Sequence, residues 1–468
     1  MTTQWPDTMA PNYSLLVNNN RVDANVRACI QQIEYESNDG LADMLKIRIQ
    51  DRFDEVNHFP IINSKLFLPG NDLALWGGYG SALIHIGSAI ITKVIPTFPR
   101  SGPPTLEVVA YTPDQQMADT GPEALKDVKG LKSGGRRVKN AKAGRRWPAG
   151  TRYSDAVIDR AQAYGFLIDV DQAPISSEGF IQKANMKDYH FVTGIAHLTG
   201  FVMWVDSDGT GKYTLHFKDP TTLKQKTLQD VQYEFKYADG DYSTLLEFTP
   251  EFAISQQVNK VQIESMDPET GKTFFAKIEE DTNDDPDVLV DPGNTTTGFD
   301  AKAAGLSRVA NASKSDVKPG KNSTIAAADV PFVGDIHTAS SVKIFIDNWA
   351  FDVRANRRFR NEQELALWAA QWFRRNRENF MLCKGALVGI ETLRARQVHT
   401  LSGMGKIYDG DYYFSRVRHL FNTAVGYEVD FDGRKQVPEL PPVTSTDDLD
   451  IEQQFIKDGA LNTGVVTP

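Results

Sequence analysis

Residues 410–435, GDYYFSRVRHLFNTAVGYEVDFDGRK, hold a side-chain pattern that only a strand hairpin satisfies. Tyr427, Val429 and Phe431 alternate with Glu428 and Asp430, the two-residue period of a strand with one buried face. In the first half Tyr412 and Phe414 share a face, but the apolar series resumes at Val417, one residue out of phase. A β-bulge at Ser415–Arg416 restores the phase. Val417, His419 and Phe421 then continue inward, and Asn422–Gly426 is short and polar enough to close the hairpin. His419 therefore points into a sheet-lined core, with no neighbour in sequence that supplies a catalytic or metal-binding partner.

The same texture recurs at the other end of the chain. LKIRIQDRF at 45–53 alternates, and LFLPGNDLALWGGYG, SALIHIGSAIITKVIP and PTLEVVAYTP are β-rich runs punctuated by Gly and Pro. Several short strands with no helix between them predict a barrel or sandwich over about 10–115. A chain of 468 residues with 41% hydrophobic and 24% charged residues has room for several folded domains. No run approaches the ~20 apolar residues of a membrane-spanning helix. The N-terminus MTTQWPDTMAPNYS has no export-signal pattern, and two cysteines, Cys29 and Cys383, argue against a disulfide framework. A net charge of −10 argues against the whole molecule being a nucleic-acid binder.

Between the β-rich ends the texture changes twice. KDVKGLKSGGRRVKNAKAGRR, residues 126–146, carries nine basic residues against the one acid Asp127, with four glycines, so it has little to bury. It reads as a solvated linker, or as a basic arm that clamps an acidic partner through Arg136, Arg137, Arg145 and Arg146. From 151, SDAVIDRAQAYG has helical spacing with Ser154 as a cap. ANMKDYHFVTGIAHLTG puts Met186, Tyr189, Phe191, Ile195 and Leu198 on one stripe, and FVMWVDSDGTGKYTLHF reads as a hairpin. The DSDG turn lacks the closing carboxylate of a calcium loop, since Phe217 and Lys218 stand there. Strands resume at 226–275, and a Gly-, Asn-, Ser- and Asp-rich stretch covers about 279–334. NEQELALWAAQWFRRN then predicts a helix over about 361–376, capped by Asn361 with Glu364 three residues on. Leu365, Trp368, Ala369 and Trp372 share its apolar face, which predicts packing under a sheet.

No catalytic constellation emerges: there is no nucleophile elbow, phosphate loop, H-E-x-x-H or C-x-x-C. His190 and His197 lie seven apart on one helix, too far to chelate one ion. The expectation is no catalytic residue, no cofactor and no metal site.

The order of these parts resembles the tail hub proteins of contractile phages, the late-control protein D family, similar in turn to the hub portion of type VI secretion spike proteins. Three local patterns carry the resemblance: the β unit that closes on LEVVAYTP; the module YSDAVIDRAQAYGFLIDVD with KANMKDYHFVTGIAHLTGFVMWVDSDGTGKYTLHF; and the closing hairpin built on Gly410, Tyr412, Val417, His419, Phe421 and Gly426-Tyr427. The chain departs from the family in lacking a Pro-Gly before the late strands, where Leu393 to Arg396 stand instead. The basic segment also looks like an insertion.

The resemblance implies an α+β, mainly β fold: two β-barrel domains with a small α/β module and a second helix-containing region between and around them. The expected division is 1–115, first barrel; 116–150, basic flexible insertion or linker; 151–225, α/β module; 226–435, second barrel; and 436–468, extended tail. It further implies a homotrimeric structural hub, not an enzyme, adapting a sixfold tail tube to a threefold central spike. Baseplate wedge proteins would surround it, DNA would pass through its lumen, and it would sit in the virion tail baseplate after assembly in the host cytoplasm. The alternatives are another baseplate or tube component, or a carbohydrate-active β protein.

Overall fold

β-Branched, alternating segments become strands throughout the N-terminal part of the computed structural model. They are β1 (Pro11–Val17), β2 (Asn20–Arg21), β3 (Ile30–Asn38), β4 (Met44–Gln50), β5 (Asp72–Tyr79), β6 (Ala82–Thr97) and β7 (Thr105–Tyr111), with the one-turn helix α1 (Ala24–Ala28) between β2 and β3. The described residues are 10–56, 58–119, 121, 144–176, 179–220, 223, 232–237, 243–252, 260–266, 273–279, 323–326, 352–356, 362–379, 381–405, 408–423 and 426–435. The tail read at 436–468, the cap read at Asn361, Arg136, Arg137 and most of 279–334 lie outside them.

After β7 come α2 (Asp114–Asp119), β8 (Arg145–Trp147), α3 (Tyr153–Tyr164), β9 (Leu167–Val170), β10 (Phe180–Gln182), α4 (Asp188–Thr199), β11 (Val202–Ser207) and β12 (Tyr213–Lys218). The α/β module forms as read, with β11-β12-β9 as a small sheet and Gly165 and Gly200 ending the helices in the left-handed region. Ser154 is not the cap of α3. The cap lies two residues earlier, at Arg152, whose backbone N–H donates to Asp155 at 3.3 Å, and Ser154 is buried in the first turn.

The remaining elements are β13 (Glu234–Lys236), β14 (Leu245–Phe252), β15 (Lys260–Met266), β16 (Thr273–Glu279), β17 (Ser323–Ala326), β18 (Asp352–Asn356), α5 (Glu362–Glu378), β19 (Met381–Val388), β20 (Val398–Ser402), β21 (Gly410–Asn422) and β22 (Gly426–Lys435). The strands β17-β16-β15-β18 form a sheet of their own against which α5 packs. Leu365, Ala369 and Ile263 join the core of the α/β module, with Trp368 and Trp372 half-buried against it.

The two regions expected as barrels are joined in one sheet. Among the described residues no barrel closes, and strands from both ends of the chain share one 13-stranded sheet whose main path is β14-β19-β22-β21-β3-β4-β7-β6-β5-β1-β2. The join is β21. Its bulge lies where the sequence places it, the register against β22 slipping between Phe414 and Arg416. Before the bulge one edge of β21 pairs with β20; beyond it the same edge pairs with β3, from Arg416↔Asn38 to Asn422↔Gln32. The extra residue bends and twists the strand, so one edge serves two partners. The mainly β, α+β class holds.

Candidate assembly surfaces

A polar junction fastens the α/β module to the large sheet. Asp43, in the β3–β4 turn, accepts from the Tyr35 hydroxyl at 3.0 Å and from the Asn38 backbone N–H at 3.1 Å. Burial pushes the Asp43 carboxyl up, opposed by Arg396, whose guanidinium lies 3.7 Å away. Arg396 also donates to Ser37 Oγ at 3.1 Å and to the Asn38 carbonyl, and it stacks 4.6 Å above the Trp204 ring. Trp204 stacks in turn on His216, with centroids 4.5 Å apart. Both His216 ring nitrogens face carboxylates, Asp169 at 2.8 Å and Asp206 at 2.9 Å. Burial alone would raise both carboxyls, but bonds from Lys218 and His216 hold Asp169 low, and bonds from His216 and Trp204 hold Asp206 low.

Arg396 is left-handed, with φ +73°. A non-glycine residue there costs about 1–2 kcal/mol of backbone energy, which its side-chain bonds to the junction offset.

A cavity of about 250 Å³ opens at this junction, lined among others by Tyr35, His85, Trp204, Asp206, Arg394 and Arg396. Arg394 donates to the backbone carbonyls of His85 at 2.8 Å and Glu391 at 2.7 Å, so it ties a loop in place. His85 faces Ser88 Oγ at 2.8 Å, but Ser88 is 2% exposed, and burial and Arg394 push the imidazole down to about 4. The pair is structural, since a substrate cannot reach a buried serine.

The opening hairpin histidine is a satisfied core residue. His419 is buried, its Nε2–H donating to the Leu393 carbonyl at 2.9 Å while its Nδ1 accepts from the Tyr427 hydroxyl at 2.8 Å. That arrangement fixes the neutral tautomer. His190 and His197 are both exposed on α4. Among the described residues no group of three or more His, Cys, Asp or Glu side chains is placed to hold a metal ion.

Of the four candidate arginines, Arg145 and Arg146 fall on β8, which pairs with β10 through Arg146↔Ile181. Arg145 pairs with Asp159 and lies 5.7 Å over Trp147; Arg146 is exposed. The carboxyl end of the basic stretch is thus a strand of the module, anchored by Trp147 stacked on Phe191 at 4.9 Å. The alternation of Arg145 and Trp147 was the available signal, masked by the density of cations before it. The junction residues Arg394 and Arg396 were missed because their partners, the His85 carbonyl for Arg394 and Ser37 and Trp204 for Arg396, are remote in sequence.

Among the described residues both ends of the large sheet carry edges without a partner strand. At one end β2 covers only Leu16 and Val17 of β1. At the other β14 pairs with β19 and carries Pro250, which has no N–H to offer. Leu246 on β14 is 44% exposed.

Two solved structures share this arrangement. The tail protein from Neisseria meningitidis MC58 is similar at TM-score 0.53 and 11% identity, over 91% of this chain and 97% of that one. The fold is that of phage tail proteins. The 43 kDa tail protein of prophage MuSo2 from Shewanella oneidensis is similar at TM-score 0.54 and 10% identity, over 91% of this chain and 98% of that one. No protein-family model and no curated relative matches the chain. The phage tail fold is therefore legible in three dimensions at an identity where sequence alignment has little to hold. Among the described residues no helix is long and apolar enough to cross a membrane.

Proposed function

We propose that the chain is the structural hub of a phage-like contractile tail, a homotrimeric ring that adapts a sixfold tail tube to a threefold central spike. The observation that carries the reading is the fold, shared with two phage tail proteins over nine-tenths of this chain and nearly all of each. In this reading the work is mechanical, not catalytic. The edges at β1–β2 and β14, without a partner strand among the described residues, support it, because a ring in which neighbours cover edges gives exposed strands a use. The ring would sit in the virion tail baseplate after assembly in the host cytoplasm, with tube above, spike below and wedge proteins around. A net charge of −10 suits a lumen through which DNA passes without sticking. The division of the chain at about 115, 150, 225 and 435 is part of the same reading. Arg136, Arg137, Arg145 and Arg146 serve as contacts to acidic neighbours, and guanidinium groups suit carboxylates bidentately.

The test is co-expression of the chain with candidate tail tube and spike proteins from the same genome. Recovery of a complex containing both supports the hub; binding to neither overturns it.

A further inference from the structure

Two buried carboxylates sit where the large sheet hands over to the α/β module. Asp43 and Asp114 are 2% and 1% exposed. Thr112, the first residue past β7, joins them: its Oγ accepts from the Asp43 backbone N–H at 3.0 Å and lies 2.6 Å from Asp114 Oδ1. Asp114 opens α2, and three residues on, Met117 is fully buried in the core that holds Phe191 and Trp147. Tyr35 and Ala110, by contrast, belong to the core of the large sheet. The carboxyl group of Asp114 thus stands at the boundary between two hydrophobic cores.

We propose that Asp43, Thr112 and Asp114 form a proton-operated hinge between the sheet and the module. When Asp114 carries a proton, its O–H donates to Thr112 Oγ, and the Thr112 hydroxyl is free to point at the Asp43 carbonyl, 3.4 Å away. Every hydrogen in the cluster then has an acceptor. When Asp114 loses the proton, a second negative charge sits beside Asp43 with little water to screen it. The facing groups do not neutralise it. Among the described residues the cation acting on Asp114 is Arg396, the smallest of the influences on it and itself engaged with Asp43, Ser37, Asn38 and Trp204. From β3 comes Tyr35, from α4 Tyr189 and from β11 Asp206, none of them a cation. Burial is the main influence on Asp114, pushing it up to about 7, with Asp43 adding to the rise.

The sign follows. The docked state holds the proton more tightly than an open state in which Asp114 meets water. Docking is therefore strongest at acid pH, weakens as pH rises from the ordinary aspartate range to about 7, and levels off above, where both states are ionised. Two tethers cross the same boundary, Tyr189 to the Gly40 carbonyl at 3.0 Å and Tyr213 to Asp72 at 2.6 Å. They keep the module attached while α2 loosens.

Hydrogen exchange of the full chain, corrected for intrinsic rates, tests the hinge between pH 5 and 8.5 on peptides covering 111–119. Protection in the wild type falls by up to tenfold per pH unit between pH 5 and 7 and levels off above. Asp114→Asn, which keeps a neutral side chain, flattens the profile. A flat wild-type profile, or the same fall in Asp114→Asn, overturns the proposal. Should Asp114→Asn not fold, infrared titration of the wild type decides: a protonated-carboxyl band lost near pH 7 supports the hinge, and no such band overturns it.

Discussion

The Arg396 guanidinium lies 4.6 Å above the ring of Trp204, and this stack joins a turn of the large sheet to a strand of the α/β module. Arg396 is also left-handed, so its side chain and its backbone act in opposite directions on stability. The two contributions can be separated. Arg396→Ala keeps the strained φ and strands the buried Asp43 carboxylate, at a cost of about 3 kcal/mol. Arg396→Gly loses the same contacts but relieves the backbone, and is expected to be less destabilised than Arg396→Ala by about 1 kcal/mol. Denaturant unfolding of the two variants measures the difference.

Stability at acid pH is set in part by two buried imidazoles. Burial pushes both His399 and His419 down to about 3. Because the unfolded chain takes up these protons near pH 6.5 and the folded chain does not, each histidine makes stability fall as pH drops from about 6.5 towards 3. The slope is about 1.4 kcal/mol per pH unit for each group. Asp114, raised to about 7, acts in the opposite direction between its ordinary range and 7. Unfolding free energies at pH 4, 5 and 6 are expected to rise with pH, and His419→Gln to remove one histidine's share of the slope.

Trp368 and Trp372 stack with centroids 6.4 Å apart on α5 and are only half-buried. Trp368→Ala is therefore expected to cost about 2 kcal/mol, less than the 3–5 kcal/mol of a fully buried tryptophan. Thermal melting of the variant checks this.

Much of the fold was written locally. The bulge near Ser415, the inward Val417–His419–Phe421 face, the helices of the module and the α5 stripe all follow from side-chain period, because each depends on neighbours within a few residues. What the sequence concealed is non-local. Nothing in residues 410–422 announces that β21 pairs with β3, some 380 positions earlier along the chain by its Arg416–Glu36 contact, so the continuity of the two β-rich ends in one sheet is not legible from either. The junction was hidden for the same reason: Arg396 looks like a surface residue until Trp204, Ser37 and Asp43 are brought to it.

The basic segment makes a separate prediction. Replacing Arg136, Arg137, Arg145 and Arg146 by Ser is expected to leave the subunit folded. The visible intramolecular pair, Arg145 with Asp159, is 47% and 28% exposed, and such pairs contribute only about 0–1 kcal/mol. Incorporation into tails is expected to weaken, more so at higher salt. Normal assembly of the fourfold variant at all salt concentrations would assign the segment to a linker.

The hub reading is tested most directly by electron microscopy of the purified full-length chain, with native mass spectrometry on the same sample. The account predicts particles of three chains, viewed down the axis as a threefold ring around a central opening, with β-rich lobes in pseudo-sixfold array. A monomer at assembly concentrations, or a closed ring with any other number of subunits, would contradict it.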